Sequence, residues 1–82
     1  MSESRLAVIS IIVENRLQSA NVNALLSEFG EYIIGRMGVP YNKKSVAVIS
    51  VVLDAPAETI NKLTGKIGML GGVSAKTLMS RI

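Results

Sequence analysis

Few side chains in this 82-residue sequence are of the types that perform chemistry. The chain contains no histidine and no cysteine, which removes the usual general base, the thiol nucleophile and the nitrogen and sulfur ligands of zinc, nickel or copper. No disulfide or cysteine-ligated metal can stabilise a small core either. We therefore expect no catalytic residue, no metal site and no cofactor.

Two carboxylates and two serines occupy equivalent positions in a segment that occurs twice, at residues 7–14 and 47–54. Glu14 is the last residue of the first copy, and Asp54 is the last residue of the second. If the copies are antiparallel neighbouring strands, these carboxylates lie at opposite ends of the sheet, too far apart for shared acid–base work. Ser10 and Ser50 have no base to activate them, so we expect them to serve packing or an interface hydrogen bond.

The segment from Gly35 to Tyr41 has the most unusual composition, GRMGVPY. Two glycines and a proline around an arginine and a tyrosine let the backbone approach another group closely. Arg36 could bind an anionic ligand through two hydrogen bonds. Alternatively, the segment is a bulged edge strand whose glycines accommodate a neighbouring subunit. The residues alone leave both interpretations open.

The basic residues are scattered, and the net charge is +3. Only Lys43 and Lys44 are adjacent, in a predicted turn, which is typical of solubilising surface charge. RNA-recognition modules carry aromatic rings on the open faces of their central strands, whereas this chain has Val8, Ile12 and Val48 there. We expect no direct nucleic-acid binding.

The chain has no apolar run of the ~18–20 residues that a membrane helix needs. Its first residues lack the basic segment followed by an apolar one that marks a signal peptide. We therefore expect a cytoplasmic protein that does not enter a membrane, with a single domain over residues 1–82 and a flexible N terminus over residues 1–4.

An internal duplication indicates the elements that position these residues. Residues 7–14 read AVISIIVE, and residues 47–54 read AVISVVLD. Continuous apolar runs predict central strands over residues 6–13 and 46–53. The strands predicted over 32–39 and 73–80 carry charges and glycines, which are typical of edges.

Apolar residues at positions i, i+3, i+4 and i+7 predict two helices. The stripes are Val22, Leu25, Leu26, Phe29 and Ile60, Leu63, Thr64, Ile67. Gly30 suits the left-handed position that closes the first helix, and Pro56 suits the first turn of the second. A glycine inside a helix is costly, so we expect Gly65 and Gly68 to permit close packing of the second helix. The alternative is that they permit the close approach of a ligand.

The element order predicts an α+β fold of the ferredoxin-like class, a βαββαβ sandwich with an antiparallel sheet in the order 4-1-3-2 and two helices on one face. Side chains alternate between the two faces of a strand, which places one set of side chains from the central strands beneath the helices. This set is Ala7, Ile9, Ile11, Val13, Ala47, Ile49, Val51 and Leu53. No element covers the other set: Leu6, Val8, Ser10, Ile12, Val46, Val48, Ser50 and Val52. This uncovered face, in a small chain that is 49% hydrophobic, predicts a homo-oligomer, a dimer or tetramer, formed through the open sheet face or an edge.

Four segments resemble a family of small ACT-like proteins called iron-only hydrogenase system regulators. They are YIIGRMGVPY at 32–41, VAVIS at 46–50, LTGKIG at 63–68 and GGVSAKT at 71–77. The resemblance, which extends from about residue 5 to 80, implies an oligomeric, ACT-like domain with an assumed role in hydrogenase genes or maturation. Its fold is similar to the sensor domain of the nickel-responsive repressor, whose nickel ligands, His and Cys, are absent here. Nickel sensing therefore does not transfer.

The resemblance also implies where a ligand binds, because ACT-like assemblies hold ligands near subunit interfaces, by the loop after the first strand. The candidate ligand-binding residues are Asn15, Arg16, Gly35, Arg36, Gly38 and Tyr41. We expect a non-catalytic regulatory module that binds a small molecule or a protein partner. The alternative is a structural or protein-interaction module without a small ligand, and an enzymatic role would depend on Arg36 and an unknown anionic substrate.

Overall fold

A computed structural model describes residues 3–81 as a two-layer α+β sandwich. The main elements are β1 (Ser4–Val13), α1 (Ser19–Glu28), β2 (Ile33–Tyr41), β3 (Val46–Pro56), α2 (Ala57–Gly68) and β4 (Val73–Met79), with 3-10 turns at Arg16–Gln18, Gly30–Tyr32 and Asn42–Lys44. None of the helices within residues 3–81 is long and apolar enough to cross a membrane.

The four strands form one antiparallel sheet in the order β2-β3-β1-β4. The duplicated strands β1 and β3 are central neighbours, and the glycine- and charge-containing strands β2 and β4 are the edges. The predicted ferredoxin-like topology is confirmed. It follows from burial, because a strand that is apolar on both sides gains most from a central position.

The core lies between the sheet and the two helices. The central strands contribute side chains that alternate with exposed ones, and each helix contributes its predicted stripe. The fully buried large side chains are Ile9, Ile11, Val13, Val22, Leu26, Val51, Leu53, Ile60, Leu63 and Ile67. Burial of each such aliphatic side chain stabilises the fold by roughly 1.5–3 kcal/mol.

Three strands extend beyond their predicted bounds. β1 begins at Ser4, which pairs with Pro56 at the end of β3, so residue 4 is in a strand and does not belong to a flexible terminus. Residues 1 and 2 of that predicted terminus lie outside the described residues. β2 continues through Pro40 to Tyr41, which is possible because only one side of this edge strand is paired.

One of three glycines at the helices differs from its predicted role. Gly30 does not adopt the left-handed conformation and instead begins a 3-10 turn, whereas Gly72 has a φ of +77°. A Cβ atom built on Gly65 or Gly68 would have no heavy atom within 4 Å. Among residues 3–81 of one chain, these two glycines therefore make no close contact, because both lie on the outer surface of α2.

Candidate functional site

The surface of the sheet opposite the helices is an apolar face. In the register of β1 and β3, Ser10 lies opposite Ser50. The other cross-strand pairs on this face are Val8 with Val52 and Ile12 with Val48. Leu6, Ile12 and Val48 are exposed. The set that was predicted to lack a cover within the chain is thus confirmed to face away from the helices.

The edge strands enlarge this surface beyond the residues that the sequence singled out. Met37, Val39 and Tyr41 of β2 lie opposite Ser50, Val48 and Val46, respectively. Leu78 of β4 lies opposite Val8. Met37 is 65% exposed and Leu78 is 75% exposed. Alternation of side chains along β2 could have indicated which of its residues belong to this surface. A bulge between Ile33 and Gly35 shifts the register of β2, however, and the position of that bulge is not evident from the local sequence.

We call this surface the open sheet face. It comprises Leu6, Val8, Ser10, Ile12, Met37, Val39, Tyr41, Val46, Val48, Ser50, Val52 and Leu78. Seven of its large apolar side chains are exposed and present on the order of 700 Å² of surface, near the ~800 Å² per partner of a standard protein–protein interface. A contiguous patch of this size is larger than the ~300–600 Å² apolar patch of a typical monomer, which makes it the candidate interaction surface.

Within residues 3–81, the charged residues of the strands that share this side of the sheet lie at the border of the open sheet face. Lys76 of β4 pairs with Ser10 at one edge, and Asp54 pairs with Leu6 near one end of the central strands. Glu14 follows Val13 at the other end, so the two carboxylates are far apart, as predicted. Within residues 3–81, no group of three His, Cys, Asp or Glu side chains could hold a metal ion.

The loop after β1 lies at one end of the sheet, beside the β2–β3 turn. Asn15 Oδ1 accepts a hydrogen bond from the backbone N–H of Leu17 (3.1 Å) and so begins the first 3-10 turn. Arg16 Nη1 donates to Asn42 Oδ1 at 3.4 Å. Tyr41, next to Asn42, points to the open sheet face. The structure therefore brings Asn15, Arg16 and Tyr41 to the same end of the sheet.

The other candidates lie further along β2. Arg36 faces the helix layer, opposite Val51, and its Nη2 donates to Asn23 Oδ1 of α1 at 2.7 Å. Gly35 lies opposite Val52 on the open sheet face, whereas Gly38 lies opposite Ile49 on the helix side. The six predicted residues thus border one edge of the molecule on both of its faces and do not form a single pocket.

The sequence also matches a known protein family. Residues 5–77 match the model of the family described as "TM1266-like: Iron-only hydrogenase system regulator, putative". The chain belongs to this family. The solved structure of the uncharacterized protein TM1266 from Thermotoga maritima is similar, with a TM-score of 0.91 and 38% sequence identity, over 96% of this chain and 100% of TM1266.

A more distant likeness concerns the fold alone. A formyltetrahydrofolate deformylase from Pseudomonas putida KT2440 shares 14% identity and a TM-score of 0.64, over 89% of this chain and 28% of the deformylase. No curated protein matches the sequence. At 14% identity, the similarity to the deformylase supports the ferredoxin-like topology of this chain but does not indicate a shared activity.

The TM1266-like family confirms the resemblance that residues 32–41 carry. The matched range includes the loop after β1 and the whole of β2, and hence all six candidate residues. The description of the family names a regulatory role in the iron-only hydrogenase system. Membership of the family associates this chain with that described role and with no more specific activity.

Proposed function

We propose that this protein is a non-catalytic, cytoplasmic regulatory module of the iron-only hydrogenase system that works as a homo-oligomer. One observation carries the proposal: the open sheet face presents an interface-sized apolar surface on a chain of only 82 residues. A second copy with the same face would cover it, because a twofold interface uses the same patch on both subunits. The family description supports the regulatory role.

The non-catalytic part of the proposal is supported by the side chains that are present. The sequence has neither histidine nor cysteine, and the repeated carboxylates Glu14 and Asp54 lie at opposite ends of the sheet. Ser10 and Ser50 pair with each other on an apolar surface. A packing role at an interface accounts for both serines.

A lysine placed on the open sheet face tests the assembly. Val48 is 40% exposed and lies between Ile12 and Val39 on the open sheet face. V48K therefore places a charge at the centre of this surface. In a single chain the long lysine side chain can still extend its ammonium group into water, so the fold should tolerate the substitution. We expect the wild type to sediment as an oligomer at micromolar concentration and V48K to sediment with the 8.7 kDa mass of one chain.

Asn61→Lys is the matched control, since it adds the same charge at an exposed position of α2 on the helix layer. N61K should sediment as the wild type does. A wild-type protein that is monomeric at micromolar concentration would overturn the proposed assembly.

The proposed ligand is a small anion that binds Arg36 on the helix side of the β2 edge. Arg16, which lies with Asn15 and Tyr41 at the end of the sheet, is the second candidate anion site. Arg16 and Arg36 each donate to a neutral amide oxygen, Asn42 Oδ1 and Asn23 Oδ1, at exposed positions. A guanidinium group has five donors, so each arginine retains the capacity to bind a carboxylate or phosphate. The alternative occupant of this edge is a protein partner.

A thermal-shift screen of amino acids, nucleotides and metals tests the ligand, because a molecule that binds only the folded state raises the melting temperature. An anionic hit should lose most of its effect in R36Q and keep it in K62Q, which removes an exposed charge from α2. An oligomer that no compound stabilises would favour the interaction module without a small ligand.

A further inference from the structure

The helix layer contains a groove between α1 and α2, on the other side of the molecule from the open sheet face. Its volume is about 450 Å³, within the range of about 300–1,000 Å³ for small-molecule sites. Its lining consists of Asn21, Ala24 and Leu25 from α1, Lys66 from α2, and Met69 and Leu70 from the turn that follows α2.

A small side chain in the middle of α1 leaves room for the groove. Ala24 presents only a methyl group toward α2, so the space beside it is not filled. Leu25 and Leu70 form an apolar floor that packs against the core. Met69 is 86% exposed at the rim, and its flexible thioether side chain can adapt to a bound molecule.

Lys66 is the one charged residue of the lining. Its Nζ lies 3.2 Å from Glu28 Oε2 and 5.7 Å from the centroid of the Phe29 ring. The lysine and glutamate side chains are 41% and 56% exposed, and such exposed ion pairs are weak. A carboxylate that enters the groove can therefore replace Glu28 as the partner of Lys66.

A second polar group faces the same space. Asn21 Nδ2 donates to Gln18 Oε1 at 2.8 Å, and a side-chain amide has two N–H bonds. The lining thus combines an apolar floor, one ammonium group and one amide, with no carboxylate among its members. Once Glu28 is displaced from Lys66, this chemistry suits an amphipathic anion.

We propose that the groove binds a small monocarboxylate with a compact apolar body. The body contacts Ala24, Leu25 and Leu70, and the carboxylate accepts a hydrogen bond from the Lys66 ammonium group. The inference does not depend on the proposed function, because the groove belongs to the helix layer and no residue of the open sheet face lines it.

A titration with 4-methylpentanoate, followed by amide and methyl NMR signals of the full chain, tests this site. We expect saturable shifts at Ala24, Leu25 and Leu70. The neutral analogue 4-methylpentanamide should bind about tenfold more weakly, the factor that corresponds to loss of a charge-assisted hydrogen bond. Shifts confined to the sheet, or equal affinity for acid and amide, would refute the proposal.

Substitution of Lys66 provides the second measurement. K66M keeps the apolar stem near Phe29 but removes the charge, so we expect affinity for 4-methylpentanoate to fall about tenfold. K62M removes an exposed lysine of the same helix that does not line the groove and should bind as the wild type does. Glu28→Gln frees Lys66 and should strengthen binding. Equal loss in K62M and K66M would show that net charge alone is responsible.

Discussion

Gly72 determines how the loop after β1 is held. Its φ of +77° lies in the left-handed region, and its carbonyl accepts hydrogen bonds from the backbone N–H groups of Glu14 (2.8 Å) and Asn15 (3.1 Å). A Cβ atom at this position would lie 2.6 Å from the Cβ of Asn15. The close approach that positions Asn15, and with it Arg16, therefore requires glycine.

Gly72→Ala should lower the free energy of unfolding by about 1–3 kcal/mol, because alanine adopts a strained backbone and contacts Asn15. Urea denaturation measures the change. Gly30→Ala is the matched control, since Gly30 lacks a positive φ and has no heavy atom within 4 Å of a built Cβ. Equal stability of the two variants would contradict this role of Gly72.

The sequence indicates which residues are candidates for the site from their chemical types, but not which contacts each of them makes. Arg36 stands out from its glycine and proline neighbours. A bulged edge strand is one of the two interpretations that its segment allows, but the sequence does not indicate that the bulge lies between Ile33 and Gly35. Its partner, Asn23, is not indicated, because the contact exists only once α1 crosses the sheet to lie beside β2. A hydrogen bond between side chains of different elements is set by tertiary packing, which local pattern does not encode.

At the scale of elements, α2 carries a glycine that its structure does not require. Gly65 lies inside the helix, and a Cβ there would meet open space. Gly65→Ala should raise the free energy of unfolding by about 0.5–1 kcal/mol through higher helix propensity and a less flexible unfolded chain. The same urea titration measures it. Destabilisation would instead show that another chain covers the outer surface of α2.

The centres of the strands were easier to predict than their ends. Strong apolar runs place β1 and β3 in the middle of the sheet whatever their bounds. The last residues of β3, Asp54 to Pro56, are poor strand formers by type, yet they pair with β1 residues Ser4 to Leu6. Pairing with a neighbouring strand overrides local preference there, so only the assembled sheet reveals the full strand.

At the scale of the whole molecule, the helices cover one face of the sheet, and no element among residues 3–81 covers the other face. The helices bury one side of both central strands, and the fourteen buried hydrophobic residues found among residues 3–81 form one cluster on that side. The sequence could predict this imbalance, because β1 and β3 are apolar on both sides while the chain has helices for only one. What covers the open sheet face depends on contacts with another molecule, which the pattern of a single chain does not encode.

If folding and assembly are coupled, the melting temperature must depend on protein concentration. For a dimer of 82-residue chains, mass action predicts a rise of roughly 4 °C for each tenfold increase in concentration. Scanning calorimetry between low and high micromolar concentration measures the slope. V48K, which assembles less, should melt at a temperature that does not depend on concentration, whereas N61K should follow the wild type. A flat wild-type profile would mean that the single chain is stable with its open sheet face exposed, and that the face is kept for a different protein.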